Sequence, residues 1–426
     1  MFCPKCGARN DDDARFCGAC GASFAERAAS GGATPAPVPV VPRRRKGPFA
    51  LIAVGLLATA LIAGAAFLAV RFLSGGTSVE ELANIASLTY GRAAADDGYD
   101  YFYSSEIHAI CRAKPGADVE RILEIPMNRD RGYEAPEFYV MNIAVSEGNV
   151  FYVTLAYDSY SGASRYELRS MRADGADDRS VMEVETPEGG FSTVNGLFAY
   201  DGRAYMAVYR FGEYETTEIE IVSVDAAGED VRTECALEGA DNGAVLITPE
   251  KIYYTESTYV SQGDSHAALY VRNIDGSGSE CLYQRDNAMI SRLALVGDDV
   301  VCYEYDSTRQ AFRILRIGAG EEPEVVYRAS RNEGANLLTC SDDTVYLMTY
   351  ELDENMYDVA EWDLVAVPIF GGDKRTIAEG LAYYNPTAAV MNGHLLLIEN
   401  GQDVDSTGMV VDAIDLKDGA VNESYV

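Results

Sequence analysis

The C-terminal part of this 426-residue sequence predicts an all-β fold, a seven-bladed β-propeller over residues 79–426. A run of β-branched and aromatic residues recurs seven times there, at intervals of 45 to 54 residues. Each run is followed by a second strand that closes in a glycine-containing turn. Helical periodicity is absent from this part except over Val79–Ala86. One transmembrane helix and a small N-terminal ribbon complete the predicted architecture.

The seven runs have the residue types and the spacing of propeller strands. A period of about 40–50 residues with four short strands is typical of one propeller blade. Alternating apolar residues bounded by Asp-Gly turns favour strands over helices. A β-solenoid is the structural alternative, although its coils would be shorter and more evenly spaced. The runs begin at Tyr99, Asn149, Arg203, Lys251, Asp299, Thr344 and His394.

An apolar segment, Phe49–Val70, contains no charged residue over 22 positions. A helix of that length crosses a bilayer core of about 30 Å, which predicts a transmembrane helix over 48–73. The basic cluster Arg43–Lys46 precedes the segment and only Arg71 follows it, so the N-terminus is predicted to be cytoplasmic. A cleaved signal peptide is disfavoured, because its apolar core is shorter and lies near the N-terminus. We expect a single-pass cell-membrane protein with an extracytoplasmic C-terminal domain.

The first 26 residues contain two Cys-x2-Cys pairs separated by ten residues. Four thiolates in two such pairs suit tetrahedral Zn²⁺, and a site with four protein ligands has no open position for catalysis. We therefore predict a structural zinc site. A redox motif would need a thioredoxin-like context, and a disulfide pair is disfavoured in a reducing cytosol. Proline and basic residues make 27–47 an extended linker. The predicted ligands are Cys3, Cys6, Cys17 and Cys20.

Two resemblances follow from these motifs. Residues 1–24 resemble the short bacterial zinc-ribbon domain that begins many membrane proteins, and all four cysteines match. The segments GRAAADDGYDYFYSS (91–105), KIYYTE (251–256) and LYVRNIDGSG (269–278) resemble YWTD-like propellers of the lipoprotein-receptor type. They are more similar to an uncharacterised bacterial extracytoplasmic propeller family. The sequence departs from the YWTD pattern, since no repeat contains Trp-Thr-Asp. The resemblance implies a scaffold without an assigned enzyme activity.

Charge is distributed unevenly along the chain. The formal net charge is −33, and the part after residue 73 holds 25 basic and 63 acidic residues. Such a surface repels nucleic acid and favours basic partners, so no nucleic-acid partner is expected. The alternative interpretation is that the acidity keeps an exported domain soluble.

No sequence motif indicates a chemical reaction. The GxSxG, HExxH and P-loop patterns are absent. A glycosidase-like carboxylate pair is recognised only by its separation in space. The five outer cysteines are an odd number, so at least one is a free thiol or bonds another chain; we expect buried thiols and leave their pairing open. They are Cys111, Cys235, Cys281, Cys302 and Cys340.

Several connections between the second and third strands of the predicted blades are long and aromatic. All such connections of a propeller emerge on one face, so the aromatic residues are predicted to form an exposed aromatic face. Tyrosine and tryptophan supply contact area at low entropic cost, and loops on rigid scaffolds often bind ligands. The alternative is that these are solvated hairpins with some packed tyrosines. The predicted residues are Tyr157, Tyr160, Tyr214, Tyr259, Tyr357 and Trp362.

These observations favour a non-enzymatic, membrane-anchored binding or sensing protein. Its outer propeller would hold a protein, peptide or glycan ligand, and its zinc ribbon would offer a docking module to a cytoplasmic protein partner. One alternative is an extracytoplasmic hydrolase or lyase that uses propeller carboxylates. Two buried carboxylates in the central channel would favour that enzyme. Another alternative is a structural component of the cell envelope.

Overall fold

The computed structural model describes the C-terminal part of the chain. The predicted zinc ribbon (1–26), linker (27–47) and transmembrane helix (48–73) lie outside the described residues. Within those residues, no helix is both long enough and apolar enough to cross a membrane. The described residues are 77–105, 107–128, 135–157, 164–186, 190–212, 217–237, 243–260, 264–330, 332–341, 343–351, 361–382, 386–398 and 411–422.

Seven four-stranded antiparallel sheets form the C-terminal part, and each sheet is built from one continuous stretch of sequence. The prediction of an all-β, seven-bladed β-propeller is confirmed. The seven predicted runs are the second strands of the seven blades, and each strand begins where its run begins. Seven separate sheets exclude the β-solenoid, in which stacked coils would share continuous sheets.

The strands of each blade are called A to D in chain order. The strands from blade 1 to blade 4 are β1 (Ala93–Asp96), β2 (Tyr99–Ser104), β3 (Ala109–Ala113), β4 (Glu120–Glu124), β5 (Met127–Asn128), β6 (Ala135–Pro136), β7 (Tyr139–Ser146), β8 (Asn149–Tyr157), β9 (Ser164–Arg172), β10 (Arg179–Val184), β11 (Phe191–Tyr200), β12 (Arg203–Phe211), β13 (Thr217–Asp225), β14 (Val231–Leu237), β15 (Val245–Ile247), β16 (Lys251–Val260), β17 (Asp264–Asn273) and β18 (Glu280–Asp286). Between blades 1 and 2 in the chain, β5 and β6 form a separate two-stranded sheet.

Blades 5 to 7 repeat the same order. Because neighbouring strands are antiparallel, the A–B and C–D turns share one face of the ring, here called the A–B face. The B–C connections and the links between blades share the opposite B–C face. The strands are β19 (Ala288–Val296), β20 (Asp299–Asp306), β21 (Ala311–Ile317), β22 (Glu324–Arg328), β23 (Glu333–Ser341), β24 (Thr344–Glu351), β25 (Trp362–Pro368), β26 (Arg375–Leu381), β27 (Thr387–Met391), β28 (His394–Ile398), β29 (Val411–Asp415) and β30 (Val421–Asn422).

A short helix, α1 (Val79–Leu88), occupies the central channel and is called the plug helix. It contacts the A strands β1, β11, β15, β19, β23 and β27. The sequence explains its start, because Ser78 and Glu81 form a reciprocal capping box. Small residues explain its fit, since Ala83 and Ala86 are buried against the ring. The predicted helical stretch at Val79–Ala86 is thus a plug for the propeller.

Polar contacts fix the direction of the plug helix. The Asn84 Nδ2 donates to the Leu295 carbonyl at 2.8 Å, and the Leu295 N–H donates to Asn84 Oδ1 at 2.6 Å. The Ser87 hydroxyl donates to the Leu293 carbonyl at 2.9 Å. The Gly297 N–H, in the A–B turn of blade 5, donates to Glu80 at 3.2 Å. The helix therefore enters from the A–B face and runs antiparallel to β19.

Side chains join blades 7 and 1, and every sheet in the described part of the chain is built from the strands of its own blade. Asp100 of blade 1 is fully buried. Asn392 Nδ2 of blade 7 donates to Asp100 Oδ1 at 2.6 Å, and His394 Nε2 lies 2.9 Å from Asp100 Oδ2. Ile85 of the plug helix belongs to the apolar cluster that joins these two blades. The plug helix thus supports the closure.

Glycine in the C–D turn has a packing function in several blades. A Cβ at Gly175 would collide with the Ile122 carbonyl of the preceding blade, and one at Gly419 would collide with the Ile377 carbonyl. Both glycines also have positive φ, 83° and 75°, a conformation that glycine adopts without a steric penalty. The recurring glycine turn in the sequence therefore marks contacts between neighbouring blades.

Candidate functional site

The chain leaves the plug helix through a strained turn inside the channel. Tyr90 has a φ of 55° and Gly91 a φ of 71°. The side chain of Asn142, on β7, holds this turn by donating from Nδ2 to the Tyr90 carbonyl at 2.6 Å. Asn142 Oδ1 is buried and has no hydrogen-bond partner among the described residues. The turn marks where the plug ends.

A cavity of about 140 Å³ lies at the C-terminal end of the plug helix and is called the channel mouth. Hydroxyl, amide and guanidinium groups converge on it. The buried Tyr209 hydroxyl donates to the Gly243 carbonyl at 3.1 Å, and burial raises the pKa of Tyr209. The polar side chains that line the mouth are Ser87, Tyr90, Asn195, Tyr209, Ser291 and Arg292.

Arg292 is the cation of the channel mouth. Its guanidinium carbon lies 5.7 Å from the centre of the Tyr90 ring, near the outer limit of about 6 Å for a cation–π contact. Its buried NH1 nitrogen has no hydrogen-bond partner among the described residues. Arg292 also has a φ of 51°, which is unusual for a residue with a side chain.

Backbone bulges shape the mouth. The register between the A and B strands shifts in four blades, at the middle of β7, β11, β19 and β23. Arg292 is the bulged residue of β19, and Gly196, with a φ of 63°, lies in the bulge of β11. A bulge turns a side chain away from its regular direction and is common next to functional sites. Here it directs Arg292 into the mouth.

The electrostatics of the mouth differ from those of the acidic exterior. None of the described residues that line the mouth is a carboxylate or a histidine. Arg92, which follows the strained turn, is half-buried, and burial lowers the pKa of its guanidinium. The described lining residues thus include no carboxylate or imidazole that could act as a general base, and the guanidinium is the group among them that can pair with an anion. The pair of channel carboxylates that would favour an enzyme is not among these lining residues.

The described residues hold only part of the predicted aromatic face. Tyr160, Tyr214 and Tyr357 lie outside them. Tyr157 ends β8 and Tyr259 lies near the end of β16, at the B–C face. Trp362 is 2% exposed and packs with Leu364 and Leu381 in the core of blade 6. Because Trp362 is buried, it cannot contribute contact area to an exposed face.

An aromatic pair that the sequence did not single out is exposed at the B–C face. Phe191 begins β11 and Phe211 ends β12, and the two residues face each other across the strands. Their rings stack with centroids 4.3 Å apart, and Phe191 is 57% exposed. Phe211 lies three residues before Tyr214, which belongs to the predicted aromatic face. Counting phenylalanine together with tyrosine would have found it.

A second concave site, called the groove, is lined by strands of blade 6 and by the link that leads into it, and has a volume of about 470 Å³. Three carboxylates, an amine and a phenol line it. Burial alone would raise the pKa of Glu333, but hydrogen bonds from the Ser330 N–H and the Tyr327 hydroxyl, together with nearby Lys374, hold it below its usual value. Its charged residues and tyrosine are Glu333, Tyr350, Glu351, Asp363 and Lys374.

The five cysteines of the C-terminal part are unpaired in the structure. Cys111, Cys302 and Cys340 are buried, as expected, whereas Cys235 is half-buried and Cys281 is exposed. Burial raises the pKa of the Cys111 thiol to about 11. These buried thiols are therefore inert packing groups and not nucleophiles.

The candidate metal-binding residues of this chain come from the sequence, because they lie outside the part that the structure describes. The described residues contain no cluster of three or more His, Cys, Asp or Glu side chains that suits a metal ion. The four predicted zinc ligands lie outside those residues. A zinc-ribbon domain family matches residues 2–24, which include all four cysteines. The N-terminal zinc ribbon is thus supported, and four cysteines are a donor set that suits structural zinc.

Comparisons with solved structures support the propeller fold. A puromycin hydrolase S511A mutant complexed with PGG is 13% identical, with a TM-score of 0.54 over 81% of this chain and 55% of that chain. The polysaccharide lyase Uly1 is 11% identical, with a TM-score of 0.50 over 77% and 90%. An acylaminoacyl peptidase of Pyrococcus horikoshii is 12% identical, with a TM-score of 0.46 over 67% and 45%, and this score is too low to support the fold.

These likenesses extend to the fold alone, because the identities are so low. The chain spans about half the length of the puromycin hydrolase and the acylaminoacyl peptidase that it matches. No curated protein has a sequence that matches this chain.

Proposed function

We propose that the propeller is the ligand-binding domain of a membrane-anchored sensing protein, and that its ligand is a protein segment held at the B–C face. The exposed, stacked pair Phe191–Phe211 is the observation that supports this most directly. Phe191 lies four residues before Asn195 on β11, about 13 Å along the strand. The strand that presents Phe191 at the B–C face therefore also contributes Asn195 to the channel mouth.

Two properties favour a protein ligand over a glycan. Phenylalanine rings offer an apolar surface to apolar side chains, and exposed aromatic residues are typical of protein interfaces. The outer part also has 63 acidic against 25 basic residues, which attracts basic segments and repels anionic wall polymers. The proposed ligand is thus a segment with both basic and apolar side chains.

The test compares two equally exposed phenylalanines on opposite faces. Phe191→Ser removes a 57% exposed ring at the B–C face, and Phe370→Ser removes a 62% exposed ring in a C–D turn. Full-length protein is used to capture ligands from envelope extract, with mass spectrometry of the retained material. We expect Phe191→Ser to lose a protein that Phe370→Ser retains. Equal capture by the two variants contradicts the proposal, and protease-resistant carbohydrate in the eluate indicates a glycan ligand instead.

The proposed topology places the propeller outside the cell. The uncharged segment Phe49–Val70 and the basic cluster Arg43–Lys46 support it. Exposed Cys281 is a natural reporter, because an impermeant thiol reagent should label it in intact cells and should not label a Cys281→Ser variant there. Labelling that requires lysis contradicts this topology.

The cytoplasmic end is proposed to be a zinc-stabilised docking module for a protein partner. The zinc-ribbon match over residues 2–24 supports it. Metal binding supplies the folding free energy of so short a segment. Wild-type protein should contain one zinc ion per chain that a Cys17→Ser variant loses in metal analysis.

Hydrolysis or elimination is the second candidate function, and the groove favours it. A groove of about 470 Å³ with three carboxylates, Lys374 and Tyr350 contains groups capable of acid–base catalysis. A panel of polysaccharide and peptide substrates, tested on wild type and on Lys374→Met, distinguishes this function. Turnover that needs Lys374 supports an enzyme, and no turnover on any substrate leaves binding as the function.

A further inference from the structure

We propose that the channel mouth binds one carboxylate group of the ligand, with the Arg292 guanidinium as its partner. This inference rests on the proposed binding function and adds the chemical class that the site recognises. Arg292 lines the mouth, and its buried NH1 has no hydrogen-bond partner among the described residues. A buried donor on a charged group costs free energy unless it is paired. A ligand oxygen at the mouth would supply that pair.

The backbone at Arg292 indicates that the side chain is directed for a purpose other than stability. Ten described residues other than glycine have a positive φ. Nine of them lie in turns or at the ends of elements, and Arg292 alone lies inside a strand, β19. Strain of this kind persists where the surrounding structure enforces it, and it concentrates at ligand sites.

Other arginines of the same region are paired. Arg285 lies 3.1 Å from Glu304 and also bonds Asp306, and Arg313 bonds the same Glu304. Arg292 has no such ion pair among the described residues, where its neighbour is the neutral ring of Tyr90. In a domain so rich in carboxylates, a cation that faces a cavity without one is available for an external anion.

The size and the charge of the mouth favour a carboxylate. A guanidinium binds the two oxygens of a carboxylate through parallel hydrogen bonds. Ser87, Asn195 and Ser291 add hydroxyl and amide groups to the lining. Arg292 is the single cation among the described residues that line the mouth, which matches one negative charge. The surrounding acidic domain penalises a phosphate dianion more than a monoanion.

The test uses full-length protein and sodium acetate as the probe, followed by NMR line broadening of the acetate. Arg292→Gln removes the proposed partner, and Arg121→Gln removes an exposed arginine on β4 as the matched control. We expect wild type and Arg121→Gln to bind acetate saturably, and Arg292→Gln to bind at least tenfold more weakly. Arg292→Gly is a second variant, because glycine suits the positive φ and preserves the fold.

Acetamide and inorganic phosphate complete the experiment. Acetate binding without acetamide binding supports recognition of the charge. Equal binding of acetamide, stronger binding of phosphate, or acetate binding unchanged by Arg292→Gln overturns the proposal. N-acetylphenylalanine and the α-amide of N-acetylglutamate then distinguish a terminal carboxylate from a side-chain carboxylate, and the stronger binder identifies the source.

The outcome is separable from that of the proposed function. If Phe191→Ser leaves protein capture unchanged while acetate binding still needs Arg292, the aromatic binding surface is wrong and the carboxylate site stands. If capture needs Phe191 and acetate does not bind, the binding function stands and the carboxylate site is overturned.

Discussion

The two ends of the plugged channel differ in how their polar groups are satisfied. At the A–B face, both polar atoms of Asn84 are paired with Leu295, and a capping box closes the start of the helix. At the channel mouth, Arg292 NH1 and Asn142 Oδ1 have no partner among the described residues, and Tyr90 and Arg292 have positive φ. We call the A–B end of the channel, where the plug helix begins, the sealed end. Polar contacts that stabilise the fold are therefore concentrated there, while strained backbone and unpaired groups are concentrated at the mouth.

This difference indicates how a propeller whose described strands stay within their own blades remains closed and still offers a site. The plug helix contacts A strands from several blades, so it holds the ring from inside. It ends before it fills the channel, and the remaining space is the mouth. One element thus provides both the support and the floor of the site.

The largest expected effect comes from Asn84→Ala at the sealed end. The substitution leaves the buried N–H and carbonyl of Leu295 without partners, and each unpaired buried group costs about 1–3 kcal/mol. We expect the free energy of unfolding to fall by about 3 kcal/mol in chemical denaturation. Asn195→Ala, at the mouth, is the matched control and should cost less than about 1 kcal/mol.

Thiol labelling shows whether the loss is local. Cys302 and Cys340 are buried in two apolar clusters that include residues of the plug helix, whereas half-buried Cys235 packs against a cluster that contains none. If Asn84→Ala loosens the plug helix, Cys302 and Cys340 should react faster while the reaction rate of Cys235 stays unchanged. If Asn84→Ala and Asn195→Ala lower the free energy of unfolding equally, the two ends of the channel do not differ in their contribution to stability.

Much of the fold was predictable because propeller strands are local patterns. The period of the runs located all seven B strands, and the apolar spacing at Val79–Ala86 indicated a helix. The position of that helix was not predictable, since its partners are backbone groups such as those of Leu295, about 210 residues away. Chain connectivity alone does not bring such groups together.

The site was less predictable than the fold for two physical reasons. A bulge leaves the alternation of apolar residues nearly unchanged, so the re-directed Arg292 looks like any arginine in a strand. Burial also separates aromatic residues that appear equivalent in the sequence. Trp362 packs in a core, whereas Phe191 is exposed.

A smaller effect is expected from Gly91→Ala, where the plug helix meets the mouth. The φ of 71° disfavours a side chain, and a Cβ would lie 2.7 Å from Asn142 Nδ2. The left-handed conformation costs about 1–2 kcal/mol, and the displaced side chain loses its bond to Tyr90. We expect a loss of about 2 kcal/mol. Gly98→Ala is the control for φ alone, because Gly98 has a φ of 73° and no atom near its Cβ position.

If Gly91→Ala costs no more than Gly98→Ala, the Asn142 contact does not hold the turn. In that case, neighbouring side chains would fix the backbone at the mouth less firmly than they fix the plug helix at the sealed end. A larger cost at Gly91 would show that strain at the mouth is held by specific side chains. Denaturation curves of the two variants, measured side by side, decide between these outcomes.

The smallest effect, and the one with the opposite sign, is expected from Arg292→Gly. Glycine removes a left-handed penalty of about 1–2 kcal/mol but adds about 0.5–1 kcal/mol of unfolded-state entropy. Removal of an unpaired buried donor adds to the gain. We expect the free energy of unfolding to stay constant or to rise by about 1 kcal/mol. Arg316→Gly, on β21 of the same blade, should lower it, because Arg316 is paired with Asp299 and Glu324. A clear loss of stability in Arg292→Gly would show that Arg292, although it lies at the mouth, stabilises the fold as the residues of the sealed end do. Constant or higher stability together with lost acetate binding would mean that the chain keeps this arginine for its ligand, because a residue that only stabilised the ring would not be better replaced by glycine.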